Sequence, residues 1–400
     1  MEDDKKQIVN FEEELEKHNK TVDTLIKNIE TDKFNVYFYC PAMNTPSGGV
    51  AVLFKMAKLI SDSGVTVKLV YQPKLDQRVS YEVSQKEKKE VNIYEKLDPK
   101  WLDFDISDLE IIPLGDGKIR FQDDTISECK PLQVNPHDFL MIPEGFPDMM
   151  KKTIQVPCKR IVIAQSWFYI LNAMGPGEKW QNFGIKDVIS VSDAITEYIH
   201  SVMPGGLNIK QFSQSIDRNL FKLPAKFSEK YPMVGFMAGR GPENRLKTYN
   251  IIKTFQAFYP HLKWVRFMEL NGLSKEEFSE RLASCAFALY TDDIAGFGTF
   301  PLEAMACGTH VVGWNSFGGK EYITQDNGFW SNNCDIFQAA ELLGIAIDKW
   351  LTGEMDVPEI QATYEATLSR YTVEKEQEQI LKIFNEYKNE RINELKTIKK

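Results

Sequence analysis

Gly296-Phe297-Gly298-Thr299-Phe300-Pro301-Leu302-Glu303-Ala304-Met305-Ala306-Cys307-Gly308-Thr309, running directly into His310-Val311-Val312-Gly313-Trp314, decides how the rest of this chain is read. Two glycines let the backbone come close to an anion, Pro301 suits the first position of a helix, Glu303 falls in its first turn, and Gly308 suits a left-handed stop. The segment therefore reads as a loop, a short helix and a buried strand, with the amino end of the helix turned toward the glycines. Unpaired amides and the positive end of the helix dipole suit phosphate, and a carboxylate one turn inside can reach a sugar hydroxyl. The competing reading has Glu303 capping its own helix.

Upstream, Met233-Val234-Gly235-Phe236-Met237-Ala238 reads as a short buried strand, followed by Gly239-Arg240-Gly241 and by Arg245 and Lys247 at the start of a helical stretch. Strand, glycine turn and cations make a second anion site. A guanidinium clamps phosphate with two hydrogen bonds and an ammonium acts as a mobile point charge, a combination suited to a diphosphate that gains charge as it leaves. A solvated basic turn is the alternative.

These two stretches, together with Ser215-Ile216-Asp217 and Leu220-Phe221, resemble the retaining GT-B glycosyltransferases, the family 4-like group that contains glycogen synthase and phosphatidylinositol mannosyltransferases. The resemblance covers residues 34–390 and is strongest over 233–325. It implies an α/β protein of two Rossmann-like doubly wound domains facing an interlobe cleft. It also implies transfer of a sugar from a nucleoside diphosphate sugar, UDP or GDP being the expected carriers, to an acceptor hydroxyl, with retention and with neither metal nor other cofactor. On that basis Arg240 and Lys247 stabilise the leaving diphosphate, amides from Gly296 through Phe297 and Gly298 to Thr299 share the task, and Glu303 holds the ribose hydroxyls. Gly239 and Arg245 join the donor contacts. One position departs from the pattern: relatives carry a glutamate just before G-F-G, in contact with the transferred sugar, and here that place holds Ala295. Asp292 or Asp293 is then the carboxylate nearest to hand, and Asp293 is taken as the donor contact.

Read from its start, the chain places Ile8, Phe11, Leu15, His18, Val22, Leu25 and Ile29 at alternating steps of three and four, the seam of a helix that packs on something. Its own domain or a second copy of the chain would serve, and Asn19 and Thr21 could divide it. Phe34 to Tyr39 then reads as a strand, Pro41-Ala42-Met43-Asn44-Thr45-Pro46-Ser47-Gly48-Gly49 as a loop, the stripe Val50, Leu53, Phe54, Ala57 and Ile60 as a helix, and Val65 to Val70 as the next strand. The glycine loop of this βαβ unit lies at a strand's carboxyl end, where open α/β sheets bind ligands. The resemblance makes Gly48 and Gly49 donor contacts across the cleft.

Further strands are expected at Asp138 to Pro143, Arg160 to Gln165 and Val188 to Ser192, the rhythm of a parallel sheet. Glu144, Gln165, Ser166 and Trp167 fall at strand carboxyl ends, and the resemblance assigns them to the acceptor. Trp167, Phe168 and Tyr169 are either sugar-stacking faces or packed aromatics. Gly318-Gly319-Lys320-Glu321 is expected to open another helix, and residues 373–400 form a charged helix that in GT-B enzymes crosses back to the first lobe. The domains expected are a helical extension over 1–30, an acceptor domain over 31–204, a nucleotide-sugar domain over 205–372 and the returning helix over 373–400.

Composition agrees. The 400 residues, 43% of them hydrophobic, can bury two sizeable cores. Six cysteines lack a C-x-x-C pair, which points to a reducing cytoplasm, and five histidines share no ligand-like spacing, so no protein-built metal site is expected. Asp103-Phe104-Asp105 matches a metal-binding D-x-D only superficially. No apolar run approaches the length of about 18 residues that a membrane-spanning helix needs. A net charge of -9 argues against broad nucleic-acid affinity. Two other functions stay open: a binding or scaffold protein that lost turnover with its first glutamate, and an enzyme acting on modified nucleic-acid bases.

Overall fold

The computed structural model describes the chain except residues 1, 42, 44, 45, 73, 89, 90, 98, 116, 122, 130, 131, 224–229, 239, 240, 356, 357 and 400, and except the side chains of 2–12, 72 and 241. In chain order the first lobe contains α1 (Glu2–Glu30), β1 (Asn35–Pro41), α2 (Gly48–Asp62), β2 (Thr66–Gln72), β3 (Lys74–Leu75), α3 (Gln77–Glu87), β4 (Ile93–Glu95), β5 (Glu110–Pro113), β6 (Lys118–Arg120), β7 (Ile126–Glu128), β8 (Phe139–Pro143), α4 (Pro147–Lys152), β9 (Lys159–Ala164), α5 (Trp167–Asn172), β10 (Asp187–Ser190), α6 (Asp193–Val202) and β11 (Asn208–Gln211). The second holds β12 (Tyr231–Phe236), α7 (Gly241–Phe258), β13 (Arg266–Glu269), α8 (Lys275–Ser284), β14 (Cys285–Tyr290), α9 (Phe300–Ala306), β15 (His310–Trp314), β16 (Phe329–Ser331), α10 (Ile336–Leu351) and α11 (Pro358–Leu368), and α12 (Val373–Ile398) closes the chain.

Both lobes are doubly wound. The first sheet runs β11-β10-β9-β8-β1-β2-β5 and the second β13-β12-β14-β15-β16, with every neighbouring pair parallel. Strands buried on both faces must be apolar throughout, and β8 and β14 are buried at every residue. In each sheet the chain starts centrally, winds to one edge and then returns to wind the other way. The reversal falls between β1 and β8 in the first lobe and between β12 and β14 in the second. A crevice opens at the carboxyl ends of the strands flanking such a reversal.

Three features differ from the sequence expectation. The strand Asn208–Gln211 pairs with β10, so the first lobe runs past Gly205. Gly318–Glu321 forms a single 3-10 turn rather than a longer helix. A separate small sheet, β3-β4-β6-β7, is inserted between β2 and β8, its strands too short and mixed in polarity to leave a periodic signal. Helix α1 is continuous, with the Thr21 hydroxyl bonded to the Lys17 carbonyl at 2.9 Å instead of interrupting the helix. Its seam residues Val22 and Ile29 are buried and Leu25 is half-buried, Ile26 beside the seam is buried as well, and His18 meets the Ile398 carbonyl at 3.1 Å while Asp32 pairs with Lys388, so α1 lies antiparallel along α12.

Helix α12 is fastened to the first lobe. The buried Lys159 ammonium on β9 lies 2.8 Å from Asp187 and 2.6 Å from Glu394 of α12, and the Tyr387 hydroxyl donates to the Val188 carbonyl at 2.7 Å. Phe384 packs with Phe139 and Phe34 at 5.7 and 6.3 Å between ring centres. Among the described residues no helix is long and apolar enough to cross a membrane.

Candidate functional site at the facing strand ends

The loop after β14 lies at the reversal of the second lobe and carries Asp293, Gly296, Phe297, Gly298 and Thr299 of the expected donor contacts. Asp292 is used to shape it: its Oδ1 accepts from the Ile294 and Ala295 amides at 3.1 and 3.2 Å, a side-chain turn within the loop. Gly298 has φ +80°, a conformation that glycine adopts without strain, and a β-carbon there would sit 2.4 Å from the Tyr290 hydroxyl. The Gly298 carbonyl accepts from the Tyr322 hydroxyl, and the Ser316 hydroxyl bonds Tyr290 at 3.0 Å. The Phe297 side chain is buried against Tyr322 and Tyr371, with centroids 5.7 and 5.4 Å away, so only its backbone is available to a donor. Ala295 is buried beneath Gly318, whose β-carbon would approach the Ala295 carbonyl to 2.6 Å.

Asp293 points the other way. One of its oxygens lies 3.2 Å from the Lys247 ammonium of α7 and 3.4 Å from the Cys334 thiol, while the other is buried without a partner. Lys247 also sits 5.9 Å from the centre of the Trp314 ring and 3.7 Å from the Cys334 sulfur. Burial alone would depress the lysine's pKa, but the hydrogen bond and charge of Asp293 outweigh it and the net shift is upward. A charged ammonium and a half-satisfied carboxylate therefore face each other at this loop. Cys334, held at φ +62° just after β16, gave no sequence signal of belonging there.

Arg245 does not join Lys247. Residues two apart lie about 200° apart around a helix, and the Arg245 guanidinium is held by both oxygens of Glu269 on β13, at 2.9 and 3.2 Å, and stacked 5.8 Å from Tyr249. Its donor assignment is thus not supported by where its charge goes. Gly239 and Arg240 lie outside the described residues, as do Ala42, Asn44 and Thr45 of the first-lobe loop.

Glu303 stands in the first turn of α9, where Pro301 opens the helix and Thr299 precedes it. Thr299 makes no side-chain cap to the backbone of α9, and its hydrogen bond to Glu303 ties that carboxyl to the residue at the start of the helix. Burial pushes Glu303 up to about 7, partly opposed by the Thr299 hydrogen bond and the charge of Lys275.

The first lobe meets this loop directly. Gly296 packs on the backbone of Gln165 after β9, and the Gln165 amide donates to the Gly49 carbonyl at 3.0 Å at the start of α2, leaving its buried side-chain oxygen unpaired. Gly48, the first residue of α2, has open space where a β-carbon would be. The Ser166 hydroxyl donates to the Ile294 carbonyl at 2.9 Å, and its amide donates to the buried Glu144 carboxylate at 2.9 Å. Burial pushes Glu144 up to about 7. Trp167 is part of an aromatic group with Phe317 and Tyr198, centroids 5.7 and 6.1 Å away, its indole N–H buried and unpaired, whereas Phe168 and Tyr169 are exposed. Gly49, Gln165, Ser166, Ile294 and Gly296 thus meet, while Lys247, through Asp293, and Glu303, in the helix that follows, flank the same loop.

Two interlobe contacts escaped the sequence reading. Ser192 caps α6 by accepting from the Ile195 amide at 3.2 Å and donates to the Gly296 carbonyl at 2.7 Å. The Ser-Asp pair at a helix start signals the cap but not the second bond. Glu321 accepts from the Asp193 amide at 2.8 Å at the start of the same helix. Among the described residues no cluster of three or more histidine, cysteine or acidic side chains is arranged to hold a metal.

Residues 260–366 match the family model described as glycosyl transferases group 1. An alpha-1,6-glucosyltransferase of Actinobacillus pleuropneumoniae is 25% identical over 133 residues, which span 32% of this chain and 40% of that relative's length. Among solved structures, sucrose-phosphate synthase from Thermosynechococcus elongatus superposes with a TM-score of 0.59 at 11% identity, covering 88% of this chain and 99% of that one. HepE from Anabaena, solved with UDP, gives 0.57 at 14%, covering 88% and 100%. The pneumococcal O-GlcNAc transferase GtfA, solved with UDP and GlcNAc, gives 0.56 at 12%, covering 90% and 99%. The architecture is the GT-B fold of two Rossmann-like domains, and the second lobe carries, over residues 260–366, a glycosyl transferases group 1 segment.

Proposed function

We propose that this chain transfers a glycosyl group from a nucleoside diphosphate sugar to an acceptor hydroxyl, with retention of configuration and without a divalent metal. The observation that carries the reading is the convergence, at the facing reversals of two doubly wound sheets, of the Lys247–Asp293 pair, the glycine loop Gly296–Thr299 and Glu303. The diphosphate would lie along the amides of that loop with Lys247 turning from Asp293 to the phosphates, and Arg240 would complete the clamp. Charge that grows on the leaving group is best met by donors already fixed in place. Glu303 would take the ribose hydroxyls, and Asp293, with one oxygen buried and unpaired, would take a hydroxyl of the transferred sugar in place of the absent glutamate at Ala295. Glu144, Gln165 and the exposed aromatics after it would face the acceptor. UDP is the favoured carrier, because HepE and GtfA were solved with it.

The buried Ala295 keeps a second reading in play, a binding protein on the same frame. Incubating the purified protein with UDP- and GDP-sugars in the presence of acceptor extracts, and following nucleotide release alongside thermal shift, separates the two. Release of nucleotide supports transfer; stabilisation with no release supports the binding protein; neither response removes both.

A further inference from the structure

Residues 99–109, between β4 and β5, form a strap that leaves the small sheet and returns to the edge of the large one. Its return is anchored, with Ile106 and Leu109 buried and Asp108 lying 3.3 Å from Lys58 on α2. Its outward part reaches the cleft. The Trp101 indole donates to the Met43 carbonyl at 3.1 Å, in the loop after β1 at the first lobe's reversal. Two residues on, the Asp103 carboxylate lies 2.7 Å from the Lys275 ammonium, the first residue of α8 in the other lobe. Phe278 of that helix packs against Phe300 of α9, with centroids 6.0 Å apart, and α9 carries Glu303. The Lys275 charge reaches Glu303 as well, where it opposes the effect of burial.

The strap therefore runs from the glycine loop of the first lobe to the helices beneath Glu303. Its attachment differs in kind from the interlobe hydrogen bonds described above. Ser166 to Ile294, Ser192 to Gly296 and Asp193 to Glu321 each engage a backbone group, whereas Asp103 and Lys275 are side chains that remain 30% and 50% exposed and are joined by charge. Such a pair forms and breaks readily.

We propose that Asp103 and Lys275 form a releasable clasp that holds the strap across the nucleoside end of the donor site, retaining the nucleotide when closed and admitting or releasing it when open. The nucleoside's place rests on the reading of Glu303 given above. Both are positioning residues: they act by fixing the strap and not by touching the reacting atoms.

The test is a charge-reversal cycle with UDP and GDP as probes. Asp103→Lys and Lys275→Asp singly should raise nucleotide dissociation rate and donor KM by up to about fivefold, the limit set by an exposed ion pair of roughly 1 kcal/mol, with kcat unchanged or increased where release is limiting. The double reversal should restore the original values, because the pair is rebuilt with its signs exchanged and Asp is well placed at a helix's first position. Salt should speed release from the original protein and leave Lys275→Asp much less affected. Hydrogen exchange of residues 99–109, measured without nucleotide, should rise in each single variant and fall back in the double. Single variants with unaltered exchange and unaltered release, or a double variant that restores neither, overturn the clasp. Raised and rescued exchange in a protein that binds neither nucleotide would uphold the clasp and overturn the reading of the donor site.

Discussion

Gly296 lies so close to Gln165 that a β-carbon on it would stand 1.8 Å from the Gln165 carbonyl oxygen. That approach is between lobes: Gln165 follows β9 of the first and Gly296 belongs to the loop after β14 of the second. Neither residue is restricted by its own local structure, since Gly296 is not among the glycines with positive φ. What requires glycine is the closeness of the two lobes.

Gly296→Ala should accordingly separate the lobes without unfolding either. Overpacking of this kind costs about 1–3 kcal/mol, and the Ser192 and Ser166 bonds to the same loop would be lost with it. Turnover is expected to fall at least tenfold, with a larger radius of gyration in solution scattering and far-ultraviolet dichroism unchanged. A variant as compact and as active as the original would show that the contact is not needed.

Lys247 and Asp293 are coupled, and their variants should behave differently. Lys247→Ala leaves a carboxylate with one oxygen already buried and unpaired; stability should drop by roughly 1–3 kcal/mol, and donor turnover by one to two decades or more. Asp293→Asn instead frees the ammonium for the diphosphate. Nucleoside diphosphate should bind more tightly and transfer should slow, as expected when the ground state gains and the transition state loses a partner. Calorimetric titration with UDP beside single-turnover rates checks both, and weaker UDP binding in Asp293→Asn would contradict the exchange of partners.

Much of this architecture was legible because its signals are local. Continuous apolar runs marked β1, β8, β9 and β15, and the Gly-Phe-Gly-Thr-Phe-Pro-Leu-Glu stretch marked a loop followed by a helix with Glu303 in its first turn. The choice between Asp292 and Asp293 was not legible. Adjacent carboxylates look alike in sequence, and only the backbone shows one closing a turn and the other facing Lys247. The position of Arg245 was not legible for a related reason: two residues from Lys247 on α7, it lies on another side of the helix, bonded to Glu269. Cys334, Ser192 and Glu321 reach the site through tertiary contacts alone, and the small inserted sheet consists of strands too short to be periodic.

Arg245→Ala follows from that geometry. One guanidinium nitrogen bonds both oxygens of Glu269, and the Tyr249 hydrogen bond, with the Glu269 charge, raises its pKa. Donor KM and kcat should remain within about twofold of the original and stability within about 1 kcal/mol, the range for an exposed pair. A tenfold rise in KM would return Arg245 to the donor site.

Glu144, which is buried, and Glu303, which is half-buried, give the protein a pH dependence of definite sign. Glu144 is raised from 4.5 to about 7 by burial, and Glu303 likewise. An acid whose folded value exceeds its unfolded one holds a proton in the native state that the unfolded chain has already released. Its stabilising contribution is therefore complete below about 4.5 and is lost as pH rises through about 7. Each unit of difference corresponds to about 1.4 kcal/mol, so melting temperature should fall measurably between pH 5 and 8. Glu144→Gln keeps an oxygen to accept from the Ser166 amide and should flatten that fall while leaving donor affinity in place. Glu303→Gln should flatten it too, but it removes the ionised form that the ribose hydroxyls would bond, so donor KM should rise by one to two decades at pH 8 and by much less at pH 6, where the original carboxyl is already largely protonated. Thermal melts of both variants, paired with donor KM at the two pH values, separate the roles: equal losses of affinity in the two variants would mean that Glu303 acts through burial, as Glu144 does, and not through the donor.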